Sequence, residues 1–385
     1  MKSRVYISTL GGGALLANYG TFFQHYALRC FVNTCGFVSY RYSHGECELS
    51  FGRWFKKCIK SLCTVPYLFL NRHPSRWWYA QSIVDELRRE LLFQRAYHML
   101  LGAYCDNVQI DKTSILVLGS DQVMRDDAAM WFGNEEIGAK RVVYAGSTDW
   151  FQQRTNPKWH EVARSELPKF QHVSVREVNG VSLCQQYCRA TVVQVVDPVL
   201  LMERSFYDGI SVRRNIFRRE TLFCYFVNIK NREELNLPYL IELANRMKCF
   251  LRIAMVQGMT NLVPRQYRIV LSPCEFLSAF RDAKYVLTNS FHGSVFSALY
   301  HKRFLSVAQP LRVEDDQNAR QRDFMRWSGL DEYWVEMPHG EATIEVGDQK
   351  WISLLMSAYP YGKVDDSILR HREFSQRWLR AALTE

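Results

Sequence analysis

The sequence predicts an α/β protein in which mostly parallel strands are covered by helices. Short apolar runs rich in β-branched and aromatic residues alternate with amphipathic stretches of helical period, and small polar clusters stand directly after several of those runs. The length, 385 residues, exceeds what one hydrophobic core usually organises and predicts two domains.

Taken in order, Arg4 to Leu10 reads as a strand, and a turn through Asn18-Tyr19-Gly20 leads into a helix. On that helix Phe22, Phe23, Tyr26, Ala27, Cys30 and Phe31 share a face, and Gly36 is placed to end it. Between Leu49 and Val84 stand Arg53, Lys56, Lys57, Lys60, Arg72 and Arg76, without Asp or Glu, among Phe51, Trp54, Phe55, Trp77 and Trp78. This insert, at about 49–105, closes with a helix from Ala80 to Leu101. Strands over 114–118, 141–144, 172–175 and 192–196 complete a first domain, residues 1–205. The second, residues 206–365, opens with a strand over 221–227 and continues through a helix at 238–247 and strands at 250–255 and 284–287. Residues 366–385 read as an amphipathic helix offering Ile368, Phe374, Trp378 and Leu379 for docking on the body.

Composition narrows the class. With 48% apolar and 23% charged residues the chain is an ordinary globular one. Lys2 and Arg4 charge the first residues, but the mixed stretch after Leu10 lacks a sustained apolar region and a clear cleavage site, so export is not expected, and no apolar run approaches the roughly 20 residues that span a bilayer. The 11 cysteines show no repeating spacing, which suits reduced, mostly buried thiols in a cytoplasmic protein. A net charge of +10 points to an anionic ligand, lipid head groups or nucleic acid, yet no nucleic-acid module is recognisable.

In open α/β sheets ligands bind outside the carboxyl ends of the strands. Five polar clusters occupy such places: Asn18-Tyr19-Gly20 with Gln24, Gly119-Ser120-Asp121-Gln122, Ala145-Gly146-Ser147-Thr148, Arg176-Glu177 and Asn289-Ser290-Phe291-His292-Gly293. The last delivers His292 to a turn before a helix, where backbone N–H groups and an imidazole meet an anion, or where His292 simply caps the helix. Arg176 offers a planar fork for carboxylate or phosphate, or an ion pair with Glu177. Asp121 suits a base, a hydroxyl-orienting group or a helix cap. Arg320 and Arg322 begin a helix and could reach a phosphate or simply form a solvated helix face, and Asp197-Pro198 reads as a structural exit turn. Neither a P-loop nor a dinucleotide glycine fingerprint follows any strand, which weakens ATP and NAD readings.

Read together, the clusters resemble the polysaccharide pyruvyl transferase family. The resemblance runs from Asn18-Tyr19-Gly20 and Gln24-His25-Tyr26-Ala27-Leu28 through Leu118-Gly-Ser-Asp-Gln122, Val143-Tyr-Ala-Gly-Ser147, Ser174-Val-Arg-Glu177 and Val196-Asp-Pro198 to Thr288-Asn-Ser-Phe-His-Gly293 and Phe304. Met124 stands where the family usually has Trp and Phe23 where Leu is usual, which reshapes the surroundings without touching the reaction class.

The resemblance implies two Rossmann-like domains facing across a cleft, as in two-domain glycosyltransferases, with phosphoenolpyruvate as donor and a sugar as acceptor. The product would be a cyclic pyruvate ketal, expected to be 4,6-linked on a hexose such as galactose in a capsular or other cell-surface polysaccharide precursor. His292, Arg176 and Asp121 are the expected catalytic group. Asn18, Tyr19, Gln24, Ser120, Gln122, Ser147, Asn289, Ser290, Phe291, Gly293, Arg320 and Arg322 are the expected substrate contacts. No step requires a metal or redox cofactor. If the acceptor is lipid-linked, the segment from Phe51 to Trp78 suits contact with the inner membrane face; a helical hairpin packed on the first domain is the other reading. The rival functions are a nucleotide-sugar glycosyltransferase of similar architecture and a noncatalytic glycan-binding protein.

Overall fold

The computed structural model describes residues 4–9, 18–42, 59, 76–102, 110–120, 123–124, 139–148, 156–256, 259, 262–310, 318–338 and 348–385, with 76–82 and 348 described through their backbone alone. The glycine turn at 11–13, Asp121, Gln122 and most of the basic aromatic segment fall outside these residues. Among the described residues no helix is long and apolar enough to cross a membrane.

The chain begins with β1 (Arg4–Ser8), α1 (Tyr19–Thr34), β2 (Val38–Arg41) and α2 (Arg76–Ala96), which runs into a π-helical turn, Tyr97–Leu101. Then follow β3 (Ile115–Leu118), β4 (Lys140–Gly146), α3 (Pro157–Glu166), β5 (His172–Val175), α4 (Val178–Gln185) and β6 (Val192–Gln194). These six strands form one parallel sheet in the order β2-β1-β3-β4-β5-β6. A short helix, α5 (Arg204–Ile210), precedes β7 (Thr221–Tyr225), α6 (Arg232–Leu235), α7 (Leu237–Arg246), β8 (Phe250–Ala254), β9 (Arg268–Ile269) and α8 (Pro273–Asp282). The remaining elements are β10 (Tyr285–Thr288), α9 (Phe291–Leu299), β11 (Arg303–Val307), α10 (Ala319–Trp327), β12 (Trp334–Val335), α11 (Asp348–Met356) and α12 (Tyr361–Thr384). The second sheet is also parallel, in the order β12-β11-β10-β7-β8-β9.

Both strand orders are doubly wound, so the protein is an α/β molecule built from two Rossmann-like halves. The direction of strand addition reverses between β1 and β3 in the first sheet and between β7 and β10 in the second. Helices on both faces explain why β3, β7 and β10 are buried at every residue and read as unbroken apolar runs rather than alternating ones.

Helix α1 is buried from Tyr19 to His25, on more than one face, because it lies between the halves. Its Tyr19 ring stacks on Phe276 of α8 with centroids 3.9 Å apart, and its hydroxyl donates to the Leu271 carbonyl at 2.7 Å. Phe23 meets Phe296 of α9 edge-on at 5.2 Å. Each such aromatic pair contributes about 0.5–1.5 kcal/mol beyond its area burial, so this cluster fastens the halves together.

The C-terminal helix makes a second fastening. In the first part of α12, Ser367 Oγ donates to the Trp327 carbonyl at 2.6 Å and His371 packs on the Trp327 ring. Further along, Ser375 Oγ accepts from Val196 N–H at 3.0 Å, and Arg372 and Gln376 donate to the Leu200 and Leu201 carbonyls. The contact with Ser375 explains why β6 stops at Gln194 although the apolar run continues to Val196.

Candidate active site

A buried polar cluster that spans the two halves is centred on Asp197, which follows β6. Its Oδ1 accepts from Val199 N–H at 3.0 Å and so caps the 3₁₀ turn Pro198–Leu201, the structural role expected of Asp197-Pro198. Its Oδ2 does more, accepting from Arg176 Nη1 at 2.6 Å, Gln24 Nε2 at 2.7 Å and Ser120 Oγ at 3.3 Å, with His292 Nε2 at 3.5 Å. Burial alone would drive this carboxyl up, but His292 and Arg176, helped by the Val199 N–H, hold it well below the usual carboxylate range. Asp197 is therefore a buried anion with fixed partners.

His292 reaches this anion from the other half. It sits in the first turn of α9, after Ser290 at the N-cap position, and is 8% exposed. Its Nε2 lies 2.7 Å from Gln24 Nε2. The ring packs against the first turn of α1, where a β-carbon on Gly20 would stand 2.1 Å from His292 Nδ1. Asn18 accepts from the Gly20 and Thr21 N–H groups and caps that turn. Two helix N-termini, one from each half, thus converge on one imidazole.

The loop after β5 supplies the cation. Arg176 Nη1 holds Asp197 and its Nε lies 3.3 Å from Glu177 Oε1, while its guanidinium carbon stands 4.8 Å above the Phe291 ring. Glu177 accepts in turn from Ser147 Oγ at 2.6 Å and from Thr148 N–H at 3.0 Å. Arg176 is thus held between two buried carboxylates, and the Arg176–Glu177 ion pair read from the sequence forms within a larger cluster.

The other expected site residues divide between cleft and frame. Asn289 exchanges a pair of hydrogen bonds with the Val227 backbone, at 2.7 and 2.9 Å, and ties the ends of β7 and β10 together. Ser290 N–H donates to Thr288 Oγ1, and Gly293 lacks the β-carbon that would stand 2.0 Å from that same oxygen. Tyr19 and Gln24 are fully buried, Tyr19 among rings and Gln24 between Asp197 and His292. On α10, Arg320 is half-buried and Arg322 exposed. Met124 is buried against Gly146, and its carbonyl accepts from the Trp159 indole at 2.9 Å.

Three residues that the sequence does not single out join this frame. In the sequence Asp197 reads as a turn residue, and only its position after a strand, shared with the five clusters, marks it. Glu177 reads there solely as a partner of Arg176. Asp323 of α10 accepts from Val178 N–H, the first residue of α4, at 3.2 Å and so joins α10 to the loop that carries Arg176. Among the described residues no three His, Cys, Asp or Glu side chains stand close enough to hold a metal ion.

The family described as polysaccharide pyruvyl transferase matches residues 49–309, more than half of the chain. No curated protein sequence matches it. Similar solved structures include UDP-GlcNAc 2-epimerases from Methanocaldococcus jannaschii (10% identity, 97% of this chain and 99% of that one, TM-score 0.47) and Neisseria meningitidis (12%, 98% and 99%, 0.48). The spinosyn forosaminyltransferase SpnP is another (11%, 98% and 95%, 0.47). At these scores the fold rests on the strand orders given above.

Proposed function

The chain belongs to the polysaccharide pyruvyl transferase family, and we propose that its cleft moves the pyruvyl group of phosphoenolpyruvate onto two hydroxyls of one sugar residue. The observation that supports this is the meeting of His292 from the second half with Asp197, Arg176, Gln24 and Ser120 from the first. Family membership gives the reaction class. The donor, the acceptor and the 4,6-linked ketal on a hexose such as galactose are what we propose beyond it.

The proton balance says what such a site must do. Each of the two hydroxyls gives up a proton; one ends on the methylene carbon, which becomes a methyl group, and the other leaves with phosphate. A single group that takes a proton from a hydroxyl and delivers one to carbon suffices, and an imidazole beside a buried carboxylate suits that task. His292 is our acid and base. Protonation of the methylene leaves positive character on the carbon bearing the carboxylate and the phosphate, which the hydroxyl then attacks. The N-termini of α1 and α9 provide positive partial charge for the donor's anionic groups. Arg176 is our donor clamp, and donor binding there exchanges a protein carboxylate for the donor's. Ser147 and Ser290, which follow β4 and β10, are proposed to line the acceptor side, together with Asp121 and Gln122, which lie outside the described residues.

The test is phosphate release from phosphoenolpyruvate with galactosyl, glucosyl and mannosyl acceptors, wild type against His292→Ala and Arg176→Ala. Acceptor-dependent release that both variants lose supports the transferase and names the sugar. No release with any acceptor, together with thermal stabilisation by a nucleoside diphosphate, would replace it with a nucleotide-sugar glycosyltransferase. For the segment from Phe51 to Trp78 we propose contact with anionic membrane, as a lipid-linked acceptor requires. Equal liposome co-sedimentation of the wild type and a variant with Lys56, Lys57, Trp77 and Trp78 all changed to Ser would remove that part.

A further inference from the structure

We propose that Asp323 caps helix α4 from the opposite half of the molecule and thereby holds Arg176, which stands next to that helix's N-cap, in its anion-binding position. The inference rests on the reading of Arg176 as the donor clamp for its catalytic meaning. Asp323 is a positioning residue in this scheme and need not touch a ligand.

The helix needs a cap from elsewhere because the residue that would ordinarily supply one is engaged. Glu177 occupies the N-cap position of α4 with extended backbone, yet its side chain makes no bond to the helix. Its Oε1 accepts from Ser147 Oγ at 2.6 Å and from Arg176 Nε at 3.3 Å, and its Oε2 accepts from Thr148 N–H at 3.0 Å. The N–H groups in the first turn of a helix have no acceptor within it, so one must come from outside. For Val178 that acceptor is Asp323 Oδ2 at 3.2 Å, 145 residues further along the chain and in the other half.

The same part of the second half also supports the guanidinium itself. Phe324, next to Asp323 on α10, meets the Phe291 ring edge-on with centroids 6.0 Å apart, and Phe291 lies under the Arg176 guanidinium. Arg176 is thus gripped by Asp197 and Glu177 from its own half, and by Phe291 and the Asp323 cap from the other. The first pair sets which atoms the fork meets, and the second ties its place to the opposite half. The cap uses the oxygen of Asp323 rather than its charge. Burial, and the Glu177 carboxylate nearby, push the Asp323 carboxyl above its ordinary value, against the pull of the Val178 N–H, Arg326 and Arg322. An asparagine caps a helix as well as an aspartate does, and here it would escape the repulsion from Glu177. Asp323→Asn should therefore keep the cap, and Asp323→Ala should lose it.

Two measurements on the full chain test this in the wild type and both variants. Hydrogen exchange at the Val178 amide, without ligand, should quicken in Asp323→Ala and stay near the wild-type rate in Asp323→Asn. Calorimetric affinity for phosphoenolpyruvate, without acceptor, should fall about fivefold in Asp323→Ala and hardly at all in Asp323→Asn. That size follows because a latch of one ordinary hydrogen bond changes the binding-competent fraction by about 2–10-fold. The kcat of acceptor-dependent phosphate release should change little in either variant, whereas general damage to the site would lower it and would not be rescued by asparagine. Equal affinity in all three proteins overturns the proposal, and so does Asp323→Asn behaving like Asp323→Ala, or Val178 exchange as fast in the wild type as in Asp323→Ala. If the affinities differ as expected but no acceptor releases phosphate, the transferase reading is lost and the proposal stands. An active transferase with equal affinities is the reverse case, and a wild type that does not bind phosphoenolpyruvate overturns both.

Discussion

A β-carbon on Gly20 would stand 2.1 Å from His292 Nδ1 and 2.6 Å from its Cε1, so an alanine there must push the imidazole away from α1. Displacing a proton-transfer group by about 1 Å costs on the order of 10²-fold in rate. Gly20→Ala should therefore lower acceptor-dependent phosphate release by about that factor while the thermal midpoint changes little; wild-type turnover would show that His292 is not the acting group. Asp197→Asn tests the buried anion by stability instead. Leaving Arg176 short of one buried counter-charge should cost about 3–5 kcal/mol at pH 7. Because the native pKa of Asp197 is depressed, its contribution is fully present above the unfolded value of about 4 and is lost as pH falls below it towards the native one. In urea titrations the gap between wild type and variant should hold from pH 7 to about 5 and narrow at pH 3; a constant gap would mean the charge of Asp197 is not what stabilises. Of these residues His292, Arg176, Gln24 and Ser120 could be found from their places after strands. Asp197 looked like a turn residue because it is one: Oδ1 caps the 3₁₀ turn, and only tertiary structure shows that Oδ2 collects partners from both halves.

Helix α8 shows how much of an element its own residues dictate. Ser272 accepts from Glu275 N–H at 3.2 Å, Glu275 accepts from Ser272 N–H at 3.0 Å, and Pro273 occupies the first turn, where it forfeits no hydrogen bond. Ser272→Ala should destabilise the protein by about 1 kcal/mol, read as a lower urea midpoint at unchanged slope. No change would mean that Pro273 and the packing of Phe276 fix the helix start unaided. The strand at His172–Val175 and α2 from Ala80 onward are legible in the sequence. Three of the four edge strands are not legible. β2 spans four residues and places Ser39 and Arg41 among its inward positions, while β9 and β12 span two residues each, too few to show a period of two. Their pairing comes from the neighbouring strand, not from their own pattern.

At the scale of the whole molecule the question is what keeps His292 and Asp197 in register when they belong to different sheets. The interface offers two fastenings, the aromatic cluster around Tyr19 and Phe276 and the crossing of α12. The helix binds the second half through Ser367 and His371 and the first through Ser375, Arg372 and Gln376, and it buries Val364, Ile368, Leu379 and Leu383. Burying each such aliphatic side chain contributes about 1.5–3 kcal/mol, about twice what a typical neutral hydrogen bond adds. Its two termini of contact make α12 a strap whose loss should separate the halves before it unfolds either. Removal of residues 361–385 is therefore expected to split one thermal transition into two and to abolish acceptor-dependent phosphate release, with most of the far-ultraviolet circular dichroism retained. Restoring the helix as a separate peptide should bring back the single transition in proportion to the peptide added. If the shortened chain still melts in one step and still turns over, the aromatic cluster alone sets the register, and α12 only covers the seam.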